Sequence, residues 1–82
     1  MDTISVNPAL TFGQQLVGLN FNPSHDDKVG QAKQLFADLA DMVEQNDGGE
    51  KPSYLYNLIK GNALREILNA QMNVVKLLTL KY

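Results

Sequence analysis

Val29, Ala32, Phe36, Leu39 and Val43 recur in alternating steps of three and four residues. That spacing is a heptad seam along one face of an α-helix, and a strand cannot present it. The segment also carries a start and a stop. Ser24 fits an N-cap, Asp27 stands three residues on as in a capping box, and Asp26 adds negative charge to the positive first turn. Asn46-Asp47-Gly48-Gly49 closes it, with glycine available for a left-handed cap. The pattern predicts a helix over 24–46, its apolar face widened by Leu35 and Met42. Such a face must be covered, so the rest of the chain has to supply a partner.

The covering element lies toward the C-terminus. Pro52 and Ser53 open a helix-compatible stretch, Tyr54 to Lys60. Gly61-Asn62 either bends it or lets Asn62 cap a fresh helix. From Ala63 to Leu80 there is no Gly or Pro, which predicts about five helical turns. Two helices joined by a short glycine-rich loop form an antiparallel αα-hairpin. The last helix is apolar over a wide arc. Leu64, Leu68, Val75 and Leu78 make one seam, with Gln71 inside it. Ile67, Ala70, Val74 and Leu77 make a second. One partner helix covers one seam, and the other needs the N-terminal segment or another subunit. Residues 9–19 allow only a short helix, weakened by Gly13 and Gly18, so a second subunit is favoured. Residues 1–8 read as a loose arm, and 19–23 as extended, because the residue before Pro23 avoids helical angles. The expected fold is all-α. It comprises a short N-terminal helix plus an antiparallel helical hairpin, one domain over 1–82, assembled as a helical homo-oligomer.

Composition supports assembly over catalysis. With 82 residues and no cysteine, a lone core is marginal and disulfides cannot help, which leaves oligomerisation as the usual device. His25 is the single histidine. Without cysteine there is no thiolate zinc site or cysteine nucleophile, and one histidine leaves little for metal binding or a Ser-His-Asp triad. No metal or cofactor is expected, and the chain reads as a non-enzyme. Met1 to Ser5 has neither a basic nor an apolar region of a signal peptide, and no apolar run approaches the ~20 residues of a membrane span. The net charge is −2, split into −6 over 1–50 and +4 over 51–82. The overall acidity counts against DNA or RNA polymers, but a small anion needs only a few local cations.

Several residues have two readings. Lys33 has no carboxylate three or four positions away on its helix, so it is either a snorkelling surface lysine or a phosphate contact. Arg65 is likewise without a charged partner on its helix. It can fork onto phosphate, stay solvated, or pair with an N-terminal acid. Phe21 precedes a helix start, where an aromatic is either a hydrophobic staple or a stacking surface for a base. Gln71 reads as a register-setting polar residue of an oligomer. His25 reads as solvated, and Asp26-Asp27 as serving the helix dipole.

Val17-Gly18-Leu19-Asn20-Phe21-Asn22-Pro23-Ser24, then Lys28-Val29 through Lys33 to Ala37-Asp38, and the ending Ala70 to Thr79 together resemble a phage protein family. It is the small helical-hairpin family of anti-CBASS sponges, to which the hairpin domain of anti-Thoeris sponges is related. The resemblance covers about residues 12–81 and implies a function. Such proteins form helical oligomers, typically hexamers, in the cytoplasm of the infected bacterial host. They sequester cyclic oligonucleotides made by immune synthases without cleaving them. Cyclic dinucleotides sit between paired subunits, where an aromatic stacks on bases and a lysine meets phosphate. Phe21, with Asn22 beside it, and Lys33 match those positions. Some members bind cyclic trinucleotides at a second site through an arginine and a threonine, for which Arg65 and Thr79 are the nearest matches. Fourteen positions separate those two, about 21 Å along a helix, so only different subunits could bring them together. The chain lacks the added β-structure of a full anti-Thoeris sponge, which disfavours a cyclic ADP-ribose signal as ligand. A helical protein–protein interaction module is the alternative that needs no nucleotide.

Overall fold

A computed structural model describes residues 10–22 and 25–80. The described chain is all-helical, in the order α1 (Phe12–Leu16), α2 (Asp27–Gln45) and α3 (Tyr54–Thr79). No strand occurs among the described residues. The expected arm at 1–8 and the Ser24 cap lie outside them.

Each helix begins at a side-chain cap. Thr11 and Gln14 form a reciprocal capping box on α1. Asp26, in extended conformation, caps α2 by accepting from the Lys28 N–H at 2.8 Å. The cap therefore sits two residues beyond Ser24, and the helix starts at Asp27 rather than at 24. An Asp at this position satisfies an orphan N–H and also complements the dipole, which displaces the capping-box expectation. His25, just before the cap, has a φ of 54°, a left-handed angle that histidine tolerates better than most residues. Ser53 caps α3 as expected, accepting from Tyr56 N–H at 2.9 Å.

α1 is shorter than the 9–19 stretch suggested. Gly18 lies beyond its end with a φ of 63°, so this glycine turns the chain instead of weakening a helix. α3 is longer than expected. It runs for 26 residues without interruption through Gly61 and Asn62, so Asn62 caps nothing.

α2 is the central element, packing against both α1 and α3. Its buried residues are Val29, Lys33, Ala37 and Ala40. The predicted seam is thus one position out of phase after Val29, and Leu39 and Leu35 remain exposed, at 44% and 70%. The cause is close packing. A side chain at Gly13 would run into the Ala37 backbone carbonyl, so α1 reaches α2 only over small residues. The Gly13 N–H then donates to the Asp41 carboxylate at 2.6 Å. The N-terminal segment therefore docks chiefly on α2 rather than on the second seam of α3.

The 46–53 loop is held by the end of α2. Lys60 Nζ donates to the carbonyls of Glu44 and Asn46 at 2.9 and 2.8 Å. Tyr56 donates its hydroxyl to the Asn46 carbonyl at 2.6 Å. These are carbonyls a helix C-terminus leaves unpaired, and a cation there also suits the dipole. The buried apolar core is small: Val17, Val29, Ala37, Ala40 and Ile67.

Candidate ligand-binding site

A cavity of about 470 Å³ opens where the end of α1 and the turn after it, the first half of α2 and the second half of α3 meet. Gln15, Leu16, Val17, Gly18 and Phe21 form one wall, Lys33 the floor, and Leu68, Gln71, Met72 and Val75 the opposite wall. That volume lies in the range of small-molecule sites, which run from about 300 to 1,000 Å³ and are mostly apolar with a few polar groups.

Lys33 is neither a snorkelling surface lysine nor an ammonium open to solvent. It is 4% exposed. Its Nζ donates to the Gly18 carbonyl at 3.0 Å and to the Phe21 carbonyl at 2.5 Å. The same nitrogen lies 5.4 Å from the centroid of the Phe21 ring, within cation–π range. Burial strips solvent from the ammonium and lowers its pKa below the ordinary lysine value. Two of its three N–H donors are thus committed to backbone carbonyls. Lys33 ties down the turn that carries Phe21 as well as lining the cavity.

The Phe21 ring is 72% exposed. It is therefore no hydrophobic staple, and it offers its face at the rim. Asn22 closes the turn against the helix start. Its amide donates to the Asp26 carbonyl at 3.0 Å, and its side-chain oxygen accepts from the Asp26 N–H at 3.4 Å. Its part is to shape the Phe21 wall, and it does not line the cavity.

Gln71, read from the sequence as a register-setting residue of an oligomer, lines this cavity. It is 4% exposed. Its carboxamide has no hydrogen-bond partner among the described residues. A buried amide without partners costs about 1–3 kcal/mol. The cue was present in its apolar seam, but a polar residue in a seam marks a ligand site or a subunit contact equally well. Met72, Leu68 and Val75 gave no separate signal, because apolar cavity walls and core read alike in a sequence.

Arg65 and Thr79 do not join this cavity. Arg65 is exposed and donates to Asn62 Oδ1 at 2.5 Å, an i−3 partner that a search for carboxylates passes over. Thr79 turns its hydroxyl back to the Val75 carbonyl at 2.9 Å. Within one chain the structure brings together Phe21 and Lys33, with Asn22 behind them. Among the described residues no group of three or more His, Cys, Asp or Glu side chains is placed to hold a metal ion. No described helix is long and apolar enough to cross a membrane.

Compared with family models, curated proteins and solved structures, the chain has no match.

Proposed function

We propose that this protein is a non-catalytic sponge that sequesters cyclic oligonucleotide messengers in the cytoplasm of a phage-infected bacterium, blocking CBASS-type immunity. The observation that carries the reading is one cavity lined by Phe21, Lys33 and Gln71. An aromatic face stacks a base, an ammonium attracts phosphate, and a carboxamide pairs with a base edge. The cavity is open to one side of a single chain. In this reading α2 and α3 form an antiparallel hairpin, and a second copy of the chain completes the enclosure. The exposed Leu35, Leu39 and Met42 follow one another at helical spacing on α2 and supply an apolar face for that copy. Arg65 and Thr79 belong, in the same reading, to a separate trinucleotide site between subunits.

Titration calorimetry against cyclic di- and trinucleotides, with linear dinucleotides as controls, tests the proposal. A cyclic ligand should bind tightly and be recovered unchanged after denaturation. Lys33→Ala should abolish dinucleotide binding, and Arg65→Ala should affect trinucleotides alone. Hydrolysis of the ligand would overturn the non-catalytic reading. An oligomer that binds none of the panel would favour the protein–protein module, which the same apolar face supports.

A further inference from the structure

A cyclic dinucleotide carries two phosphodiesters, each an anion. In the sponge reading Lys33 faces one of them from the cavity floor, with its ammonium already shared between the Gly18 and Phe21 carbonyls. The other phosphodiester lies toward the open side, where its charge calls for a second cation. The described residues hold five further cations: Lys28, Lys51, Lys60, Arg65 and Lys76. Lys60 is taken up by the Glu44 and Asn46 carbonyls. Lys51 lies in the loop between α2 and α3. Lys28 stands seven and eleven positions before Leu35 and Leu39, so it shares their side of α2, away from the buried stripe.

Arg65 and Lys76 remain, both on α3, and helix geometry separates them. Every Cα–Cβ bond of a helix tilts toward the N-terminus, so a long side chain covers the turn before its own Cα. Arg65 precedes the stretch of α3 that walls the cavity, which begins at Leu68. It leans away from the cavity, and its guanidinium meets Asn62. Lys76 follows that stretch. Four positions before it stands Met72, a wall residue that is 53% exposed, and directly before it Val75, another wall residue. The same tilt directs the Lys76 stem back over Met72, toward the cavity mouth. Lys76 is exposed, and its ammonium has no hydrogen-bond or ion-pair partner among the described residues. We infer that Lys76 is a phosphate-binding residue at the mouth of this cavity and meets the phosphodiester that Lys33 does not. The two cations then differ in kind. Lys33 is desolvated and fixed, whereas Lys76 is hydrated and swings on a flexible four-carbon stem. This inference rests on the sponge reading for the ligand class.

Calorimetry on the full chain tests it, with whichever of cyclic di-AMP and cyclic di-GMP binds wild type the more tightly. Lys76→Gln should weaken binding about tenfold in low salt, the scale of one hydrogen bond to a charged group. The gap to wild type should narrow as salt is raised, because a contact at the mouth is screened. Lys76→Arg keeps the charge and can fork onto phosphate, so it should restore the affinity. A lysine that serves only the α3 dipole behaves otherwise: Lys76→Gln would lower the thermal midpoint without ligand and leave affinity unchanged. Undiminished affinity in Lys76→Gln overturns the assignment and leaves the sponge reading standing. So does a loss that Lys76→Arg fails to restore. A loss accompanied by a smaller particle mass in light scattering also overturns it, because Lys76 would then be a subunit contact. Wild-type protein that binds neither ligand overturns this inference together with the dinucleotide sponge.

Discussion

An ammonium that is almost wholly buried loses hydration that two carbonyls replace only in part. In Lys33 the result is a pKa below the ordinary 10.5, caused by desolvation. The folded protein therefore releases this proton before the unfolded chain does. Below the folded pKa both states are charged and folding bears the full desolvation cost. Between that value and 10.5 the cost fades, so stability owed to Lys33 rises with pH. A neutral amine still has two N–H donors, which match the Gly18 and Phe21 carbonyls. Urea unfolding between pH 7 and 10 should show wild type gaining stability relative to Lys33→Met. A constant difference would mean that the folded and unfolded pKa values agree. Gly13 is the other residue whose role depends on contact. An added Cβ would meet the Ala37 backbone, which cannot move aside as a side-chain tip could. Gly13→Ala should cost about 1–3 kcal/mol, as overpacked sites do, with loss of the Gly13 amide's exchange protection. Neither role was legible in the sequence. Lys33 reads as unpaired because its partners are backbone atoms twelve and fifteen positions back. Gly13 reads as a helix weakener because its neighbour is distant in sequence.

At the scale of elements, hydrophobic spacing identified α2 and α3 and the loop between them. It misplaced the face of α2. The seam through Ala32, Phe36, Leu39 and Val43 is richer in large residues than the stripe that is buried. What decided the matter is that α2 has neighbours on two sides, and the α1 side demands small residues. Spacing along one helix cannot reveal how closely another will approach. The same limit applies to Gly61. Its sequence context suggested a bend, yet α3 continues through it, because Lys60 and Tyr56 fasten the helix start to the end of α2. A Cβ at Gly61 meets nothing within 4 Å. Gly61→Ala should therefore stabilise the protein by about 0.5–1 kcal/mol, the helical difference between the two residues. Urea midpoints at fixed protein concentration check this, and a destabilised variant would mean that position 61 is covered by another chain.

At the scale of the whole fold, five small or medium apolar residues make up the buried core among the described residues. Twelve large apolar residues among those described are 41% exposed or more. The Cα radius of gyration is 14.9 Å, against about 12 Å for a compact domain of this length. A chain so open has little margin alone. Light scattering should give a mass that is a multiple of 9.1 kDa. Leu35→Lys with Leu39→Lys should lower that mass while helicity is kept. A 9.1 kDa species at every concentration would remove the assembly from the proposed mechanism. The all-helical class was legible from helical periodicity and the start and stop signals around it. The cavity was not, since its walls come from three segments that only packing unites.

The wall that bears Phe21 is fastened by several links: the Gly13 bond to Asp41, the Gln14 amide on Gln34, two carbonyls on one ammonium, the Asn22 bonds to Asp26, and Val17 tucked into the core. It works as a clasp, and the consequence concerns time more than affinity. In the proposed sponge, where a second copy covers the open side, a guest behind it leaves no sooner than the clasp or that contact opens. Residence is then set by a local unfolding event of the protein, and loosening one link would shorten a guest's stay before it altered which guest was chosen.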